Sequence, residues 1–162
     1  GRDSIFFAKN GINITSFDQC EKELDFLNEK FEEIPNIKFA QGDFTNLGKK
    51  QEVDNIYSRF SLHSVSEPKE IQTLNWAYQT LNLNGLFFIE VRSVFDELCG
   101  EGNEVAKNAY ITDHYRRFLE IDSFTKRIEG AGFNILYKIQ SKGFAPFKNE
   151  DPVVIRIIGQ KI

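Results

Sequence analysis

Hydrophobic and polar positions follow two different periods along the chain. Apolar and polar residues alternate at the start of "INITSF" (12–17), which predicts a strand that ends at Asp18. Apolar residues at helical spacing then predict a helix over 20–33, which Pro35 ends. These apolar positions are Leu24, Leu27, Phe31 and Ile34.

The same two signals recur to the end of the chain. Further strands are predicted over 37–43, 53–60, 86–91, 134–140 and 153–162. Further helices are predicted over 3–9 and over 123–130, the latter with Asp122 or Ser123 as its cap. Another helix is predicted to start at Pro68, with an apolar face formed by Ile71, Leu74, Tyr78 and Leu81. Residues 93–115 carry no clear period and are interpreted as a long connection with a short helix.

The order of these elements predicts the fold class. Helices and strands alternate, which is typical of an α/β domain with a mostly parallel sheet. The last two strands are close enough in sequence to form an antiparallel hairpin. No repeat or linker divides the chain, so residues 1–162 are predicted to form a single domain.

Composition narrows the function. The formal net charge of −4 argues against a protein that binds nucleic acid through bulk charge. No apolar run approaches the ~18 residues of a membrane span. Cys20 and Cys99 lie far apart without a CxxC motif, which favours reduced thiols in a cytoplasmic protein. No His, Cys or acidic motif has the spacing of a metal site.

Taken in order, six segments resemble the class I S-adenosylmethionine-dependent methyltransferases. "GRDSIFFAKNG" (1–11) is similar to the end of their glycine-rich loop and the following helix, and Asp18 to the acidic residue that ends their second strand. The other segments are "QGDF" (41–44), "VDNIYSRFSLHSV" (53–65), "LNLNGLFFIE" (81–90), and "GAGF" (130–133) with the terminal hairpin. The resemblance implies a Rossmann-like three-layer sandwich and S-adenosylmethionine as cofactor.

One part of the family pattern has no counterpart here. The family's first strand and the earlier glycines of its loop would precede Gly1. That strand lies between the second and fourth strands, so its absence would leave two unpaired interior edges. We therefore expect an N-terminally incomplete fold and a polypeptide that extends before Gly1. Direct pairing of strand 12–17 with strand 53–58 would contradict this expectation.

The resemblance also implies cofactor-binding residues near the N-terminus. Asp18, followed by Gln19, is placed to accept the ribose hydroxyls. Asp43 is a candidate for the adenine amino group, with Phe44 as an apolar wall, but a turn aspartate is an equal alternative. Gly1 would allow close backbone approach. Arg2 would reach the methionine carboxylate or pair with an acidic neighbour, and Asp3 would bind the cofactor or cap the helix.

Ser58, Arg59 and Phe60 are predicted to line the inner end of the cofactor site. A guanidinium group beside a positive sulfonium is unfavourable, so Arg59 is better suited to an anionic group of the substrate or to Glu90. Phe60 faces the methyl donor in one interpretation and belongs to the core in the other.

The acceptor side is predicted from charged residues that follow the fourth and fifth strands. His63 is the candidate general base for a hydroxyl acceptor. Glu90 and Arg92 would form, with Asp96, a polar wall opposite His63. His114, Tyr115 and Arg116 form either an anion-binding segment or a charged helix start. The expected acceptor is a small molecule or a sugar-containing (glycan-precursor) intermediate, methylated at oxygen or nitrogen.

Two other functions stay open at this stage. A non-catalytic methyltransferase-like domain could serve as a binding module of a larger protein. A nucleotide-dependent oxidoreductase shares the early strand–helix–strand pattern, but the terminal hairpin and the "GDF" segment disfavour it.

Overall fold

The computed structural model describes residues 1–48 and 52–162, which fall into two compact units. The first unit is Gly1–Gly48, and the second follows it to Ile162. Each unit is described separately below.

The first unit contains two helices and two parallel strands. Its elements are α1 (Arg2–Lys9), β1 (Ile14–Asp18), α2 (Glu21–Lys30) and β2 (Ile37–Gln41). Ile14 lies opposite Ile37 and Asp18 opposite Gln41, so both strands end at the same edge. Ala8, Leu24 and Phe39 are buried between these elements and form the core of the unit.

Gly1 is the N-cap of α1, and its surroundings explain why glycine suits that position. The Gly1 carbonyl accepts a hydrogen bond from the Ile5 N–H at 3.0 Å. A Cβ at Gly1 would lie 2.7 Å from the Leu27 side chain of α2, so the two helices approach closely there. Asp3 lies in the first turn, where its charge suits the helix dipole, and it is not the N-cap.

The second unit contains a four-stranded mixed sheet in the order β3–β4–β9–β8. Its strands are β3 (Val53–Arg59), β4 (Leu81–Arg92), β8 (Phe133–Ser141) and β9 (Val154–Lys161). β3 and β4 are parallel, whereas β9 is antiparallel to both β4 and β8. The predicted C-terminal hairpin is therefore confirmed.

Helices α3 (Glu67–Thr80) and α4 (Ile121–Gly130) accompany this sheet. Buried apolar side chains come from both helices and from the strands. They include Leu74, Ala77, Phe124 and Ile128 on the helices, and Phe87, Ile89, Val91, Ile155 and Ile157 on the strands, where they occupy alternate positions. The Tyr78 ring of α3 meets the Phe133 ring of β8 edge-on, with centroids 5.3 Å apart.

Three local expectations were wrong. Glu120 is the N-cap of α4, and Ser123 instead donates its hydroxyl to the Glu120 carbonyl, so neither Asp122 nor Ser123 caps the helix. Ile71 is 40% exposed and does not belong to the buried face of α3. Leu81 lies outside α3 because β4 begins there, and Asn84 at φ 65° bends the strand before the expected start at residue 86.

The expectation of an irregular connection over 93–115 was also wrong. The segment forms a three-stranded antiparallel sheet from β5 (Asn103–Ala106), β6 (Ala109–Ile111) and β7 (Tyr115–Arg117). These strands have three or four residues each, too few for a visible period, and all of β5 is exposed. We call residues 93–118 the excursion, because the chain leaves the four-stranded sheet after Arg92 and returns to the same place at Leu119. There the Leu119 N–H donates to the Arg92 carbonyl and the Val94 N–H to the Leu119 carbonyl.

Strand pairing is described within each unit: β1 pairs with β2 in the first, and β3 with β4 in the second. The expected break in the sheet before Gly1 stays a prediction. None of the helices within residues 1–48 and 52–162 is long and apolar enough to span a membrane.

Candidate active site

Asp18 and Asp43 line one edge of the first unit, where β1 and β2 end. Asp18 is exposed, and its Oδ1 accepts a hydrogen bond from the Cys20 N–H at 2.8 Å, which fixes the carboxylate beside Gln19. An open pocket of about 350 Å³ at this edge is lined by Gln19, Gln41, Gly42 and Asp43. The parallel register therefore brings the two predicted cofactor segments together.

Asp43 has a structural role in the turn after β2. Its Oδ1 accepts hydrogen bonds from the N–H and the hydroxyl of Thr45, both at 2.8 Å. These bonds are those of a turn aspartate, which was one of the two interpretations of Asp43. The residue also lines the pocket. Phe44, the predicted apolar wall, is half-buried.

At the start of α1 the side chains are in solvent. Arg2 is largely exposed, and its Nε lies 3.5 Å from an Asp3 carboxylate oxygen. The interpretation in which Arg2 pairs with an acidic neighbour is the one found here. An exposed pair of this kind holds neither side chain firmly.

In the second unit, the end of β3 carries a buried hydroxyl. The Oγ of Ser58 is buried and has no hydrogen-bond partner within the described residues. A buried polar atom without a partner is costly, and such atoms mark sites that a ligand or water completes.

Next to Ser58, three charged side chains form a row across three strands. In the sheet register Arg59 lies opposite Glu90, and Glu90 opposite Arg156. The Arg59 Nε lies 2.8 Å from one Glu90 oxygen, and the Arg156 Nε 2.5 Å from the other. Glu90 is buried and both of its oxygens are engaged, so it holds arginines in place.

Phe60 follows this row in an unusual backbone conformation. Its φ of 55° is rare for a bulky residue, and the structure retains such strain where neighbouring contacts fix it. The Arg59 and Arg92 guanidinium carbons lie 5.3 and 5.6 Å from the ring centroid. Two cations beside the ring make it a poor surface for a positively charged sulfonium.

His63 lies in the 3₁₀ turn Leu62–Ser64 and is 4% exposed. Its Nδ1 accepts the Arg92 N–H at 3.4 Å. Burial, followed by the nearby positive charge of Arg92, lowers the pKa of His63 from 6.5 to about 3. A histidine in this environment is neutral at physiological pH and a weak proton acceptor.

Arg92 and Asp96, which were predicted from the sequence to lie with Glu90 in a polar wall opposite His63, form an ion pair. Arg92 Nη1 donates to both Asp96 oxygens at 3.0 and 3.1 Å, and its Nη2 donates to Glu150 at 3.1 Å. Glu150 belongs to the loop before β9, so Arg92 joins two loops of the second unit.

His114, Tyr115 and Arg116 lie at and after the β6–β7 turn, so the alternative of a charged helix start was wrong. Asp113 contacts both His114 and Arg116, since its carboxylate lies 2.9 Å from the His114 Nδ1 and 3.3 Å from the Arg116 Nη1. The hydrogen bond from the Thr112 hydroxyl is the main cause that lowers the pKa of Asp113. Arg116 also donates to the Thr112 hydroxyl at 2.9 Å.

Sequence reasoning missed several charged residues that organise this unit. Arg117 is buried and pairs with Glu70, which is fully buried and also accepts from the Arg127 Nε at 2.6 Å. Arg156 was missed as well, although a single charge inside the apolar run "VVIRIIG" was a usable signal. No group of three or more His, Cys, Asp or Glu side chains in 1–48 and 52–162 is placed to hold a metal ion.

Comparison with known proteins gives the family. A family model described as a methyltransferase domain matches residues 1–85, just over half of the chain. The chain therefore belongs to the methyltransferase domain family. A search of curated protein sequences finds none that matches.

Solved structures give the fold. The chain is similar to an S-adenosylmethionine-dependent methyltransferase from Methanosarcina mazei, at a TM-score of 0.83 and 13% identity, covering 98% of this chain and 86% of that one. It is also similar to one from Clostridium acetobutylicum, at a TM-score of 0.71 and 15% identity, covering 92% and 75%. A third is the 1,6-didemethyltoxoflavin-N1-methyltransferase of Burkholderia thailandensis, at 0.76 and 18%, covering 99% and 66%.

These findings confirm the predicted α/β Rossmann-like fold and the methyltransferase class. The predicted roles of individual site residues stay predictions.

Proposed function

We propose that this protein transfers a methyl group from S-adenosylmethionine to a small-molecule acceptor at nitrogen or oxygen. The observation that carries the proposal is the exposed Asp18 carboxylate at the end of β1, beside a pocket lined by Gln19, Gln41, Gly42 and Asp43.

The chemistry of this edge fits a nucleoside. A fixed, exposed carboxylate can accept two hydrogen bonds, which suits the adjacent hydroxyls of a ribose. The amide side chains of Gln19 and Gln41 can both donate and accept, as the edge of an adenine ring requires. A pocket of about 350 Å³ lies within the ordinary range for small-ligand sites. Gly1, Arg2, Asp3, Asp43 and Phe44 remain proposed contacts of the same ligand.

Ser58 is the proposed contact for the amino-acid end of the cofactor. Its buried hydroxyl, without a partner in the described residues, would gain one from a carboxylate or amino group. Arg59 and Phe60 contribute less directly, because Arg59 is paired with Glu90 and the Phe60 ring lies beside two guanidinium groups.

Bound S-adenosylmethionine supplies an electrophilic methyl group on a positively charged sulfur. The chain's own residues then need only to orient an acceptor lone pair and exclude water. A hydroxyl acceptor must also lose its proton, and the neutral, buried His63 is poorly suited to accept it. A nitrogen acceptor with a free lone pair avoids that need, which favours nitrogen over oxygen.

The neighbours support the same class of acceptor. The Burkholderia thailandensis structure is described with bound 1,6-didemethyltoxoflavin and S-adenosylhomocysteine, and a glycopeptide N-methyltransferase, MtfA, is described with S-adenosylmethionine. We propose that His114, Tyr115 and Arg116 contact an anionic or sugar-containing group of the acceptor, since Arg116 is only partly exposed and forked guanidinium groups match such anions.

Calorimetric titration of the full polypeptide with S-adenosylmethionine, and separately with NAD, tests the proposal. We expect S-adenosylmethionine to bind and NAD to bind at least tenfold more weakly. No binding of S-adenosylmethionine would favour a non-catalytic module, and tighter binding of NAD would favour an oxidoreductase.

A further inference from the structure

We propose that His63 is a neutral positioning residue, which joins the turn after β3 to the end of β4 and thereby fixes Phe60 and Arg92. We call the contacts of His63 with Phe60 and Arg92 the joint. Its meaning for methyl transfer rests on the proposed function, whereas the contacts themselves are a property of the fold.

The first support is where the imidazole lies. The chain leaves β3 at Arg59, reverses at Phe60 with a φ of 55°, and enters the 3₁₀ turn that contains His63. The Phe60 N–H still donates to the Glu90 carbonyl at 2.9 Å, so the reversal occurs against β4. With His63 4% exposed and Leu62 fully buried, this turn is packed into the unit.

The second support is what the imidazole touches. Its Nδ1 accepts the N–H of Arg92, the last residue of β4, at 3.4 Å. Its ring meets the Phe60 ring edge-on, with centroids 5.5 Å apart and planes at 72°. The Arg92 guanidinium lies 5.6 Å from the same Phe60 ring. His63, Phe60 and Arg92 therefore contact one another pairwise and form a closed set.

The third support is the charge around the ring. Positive charge faces His63 from two elements, namely Arg92 at the end of β4, and His114, Arg116 and Arg117 at and beside β7. The Arg92 charge is offset in part by Asp96 and Glu150, and that of Arg117 by Glu70. Burial and these cations both disfavour an imidazolium, so the ring is neutral.

A neutral ring that accepts at Nδ1 carries its proton on Nε2. This tautomer suits a residue whose Nδ1 accepts the Arg92 N–H while its ring packs against the Phe60 ring. A general base would instead need an Nε2 lone pair directed at the acceptor and a pKa near the working pH.

Nitrogen-detected NMR of the histidine side chains in the full polypeptide tests this directly. Between pH 5 and 8 we expect His63 to stay neutral with the proton on Nε2. Free histidine in the same buffer serves as the reference for an imidazole open to solvent. Titration of His63 between pH 6 and 7.5, or a proton on Nδ1, would overturn the proposal.

Three variants then separate the joint from simple loss of packing. Asparagine can place an amide oxygen near the former Nδ1, whereas glutamine places its amide near the former Nε2 and alanine has neither. We expect the Arg92 amide to exchange with solvent about five- to tenfold faster in His63→Ala and His63→Gln than in the native protein, and His63→Asn to restore most of the protection. Equal exchange in all three variants would contradict the joint.

Failure of the two proposals can be told apart. If S-adenosylmethionine does not bind but His63 is neutral and His63→Asn keeps the Arg92 amide protected, the proposed function fails and the joint stands. If S-adenosylmethionine binds and His63 titrates near neutrality, the joint fails and the role of His63 as a base regains support.

Discussion

Arg59 and Glu90 lie directly opposite each other in the parallel pairing of β3 and β4, and the Arg59 Nε is 2.8 Å from the Glu90 carboxylate. The next strand places Arg156 opposite the same carboxylate. Register alone therefore assembles a buried carboxylate between two guanidinium groups at the edge where the acceptor site is proposed. A carboxylate in this position stabilises the fold only while both partners remain.

Glu90→Gln should destabilise the protein by about 2–4 kcal/mol, since it leaves two arginines at a buried site without their anion. Urea denaturation measures this as a lower midpoint with an unchanged slope. Glu97→Gln is the matched control, because Glu97 is exposed and a solvent-screened pair with Lys142 should contribute little to stability. Similar losses for both variants would mean that burial of Glu90 does not matter.

Glu70→Gln should likewise cost about 3 kcal/mol, because Glu70 is fully buried between Arg117 and Arg127. Glu67→Gln, one turn earlier on α3, is a close control. Glu67 is half-exposed and contacts the same two arginines at 3.6 and 3.4 Å, so its loss should cost less than about 1 kcal/mol. Thermal unfolding of both variants would decide, and an equal change in Tm would contradict the expectation.

Asp18→Asn should weaken S-adenosylmethionine binding about 10- to 100-fold in calorimetry, because a neutral amide offers one acceptor oxygen where two ribose hydroxyls need a carboxylate. Asp25→Asn removes an equally exposed charge from α2 and should leave the affinity within about twofold. If both variants bind with native affinity, Asp18 does not contact the ribose.

Gly132→Ala should destabilise the protein more than Gly143→Ala. Both glycines have positive φ, 105° and 83°, so alanine is strained at either position by about 1 kcal/mol. A Cβ at Gly132 would also lie 2.8 Å from the Tyr78 ring, whereas nothing lies within 4 Å at Gly143. Overpacking adds about 1–3 kcal/mol, and equal midpoints in urea would show that Tyr78 moves aside freely.

His63 should make the protein less stable in acid. Its pKa is 6.5 in the unfolded chain and about 3 when folded, so the unfolded state binds the extra proton between these values. The free energy of unfolding should therefore fall as pH drops through 6.5, by about 1.4 kcal/mol per pH unit from this group. Urea unfolding at pH 7.5 and 5 measures the loss. His63→Asn should reduce this loss, and an unchanged loss in that variant would contradict the expectation.

The strongest sequence patterns predicted their elements well. The apolar run over 86–91 and the terminal segment 153–162 became central strands, because long apolar runs leave few alternatives to burial in a sheet. The sequence also predicted that Asp18 ends a strand, and Asp18 is the last residue of β1, although β1 begins at Ile14 and not at residue 12.

What the sequence could not predict depends on contacts between distant residues. The sequence offered Glu90 as a partner of Arg59, and that pair is found. The second partner, Arg156, depends on the register of β9 against β4, which no local pattern encodes. The burial of His63 depends on how the turn after β3 packs, so the residue looks like an available base in sequence and is enclosed in the fold. The sheet over 103–117 escaped notice because its strands are too short to show a period.

The excursion between Arg92 and Leu119 leaves and rejoins the sheet at one place, held there by two backbone hydrogen bonds of 3.0 Å. Because the bonds use only main-chain atoms, they impose no requirement on the side chains that lie between them. The length of the segment between Asp96 and Arg117 can thus change, provided that Asp96 keeps its pair with Arg92 and Arg117 its pair with the buried Glu70. Such an insertion point lets evolution, or an engineer, alter what the protein recognises without rebuilding the scaffold that supports it.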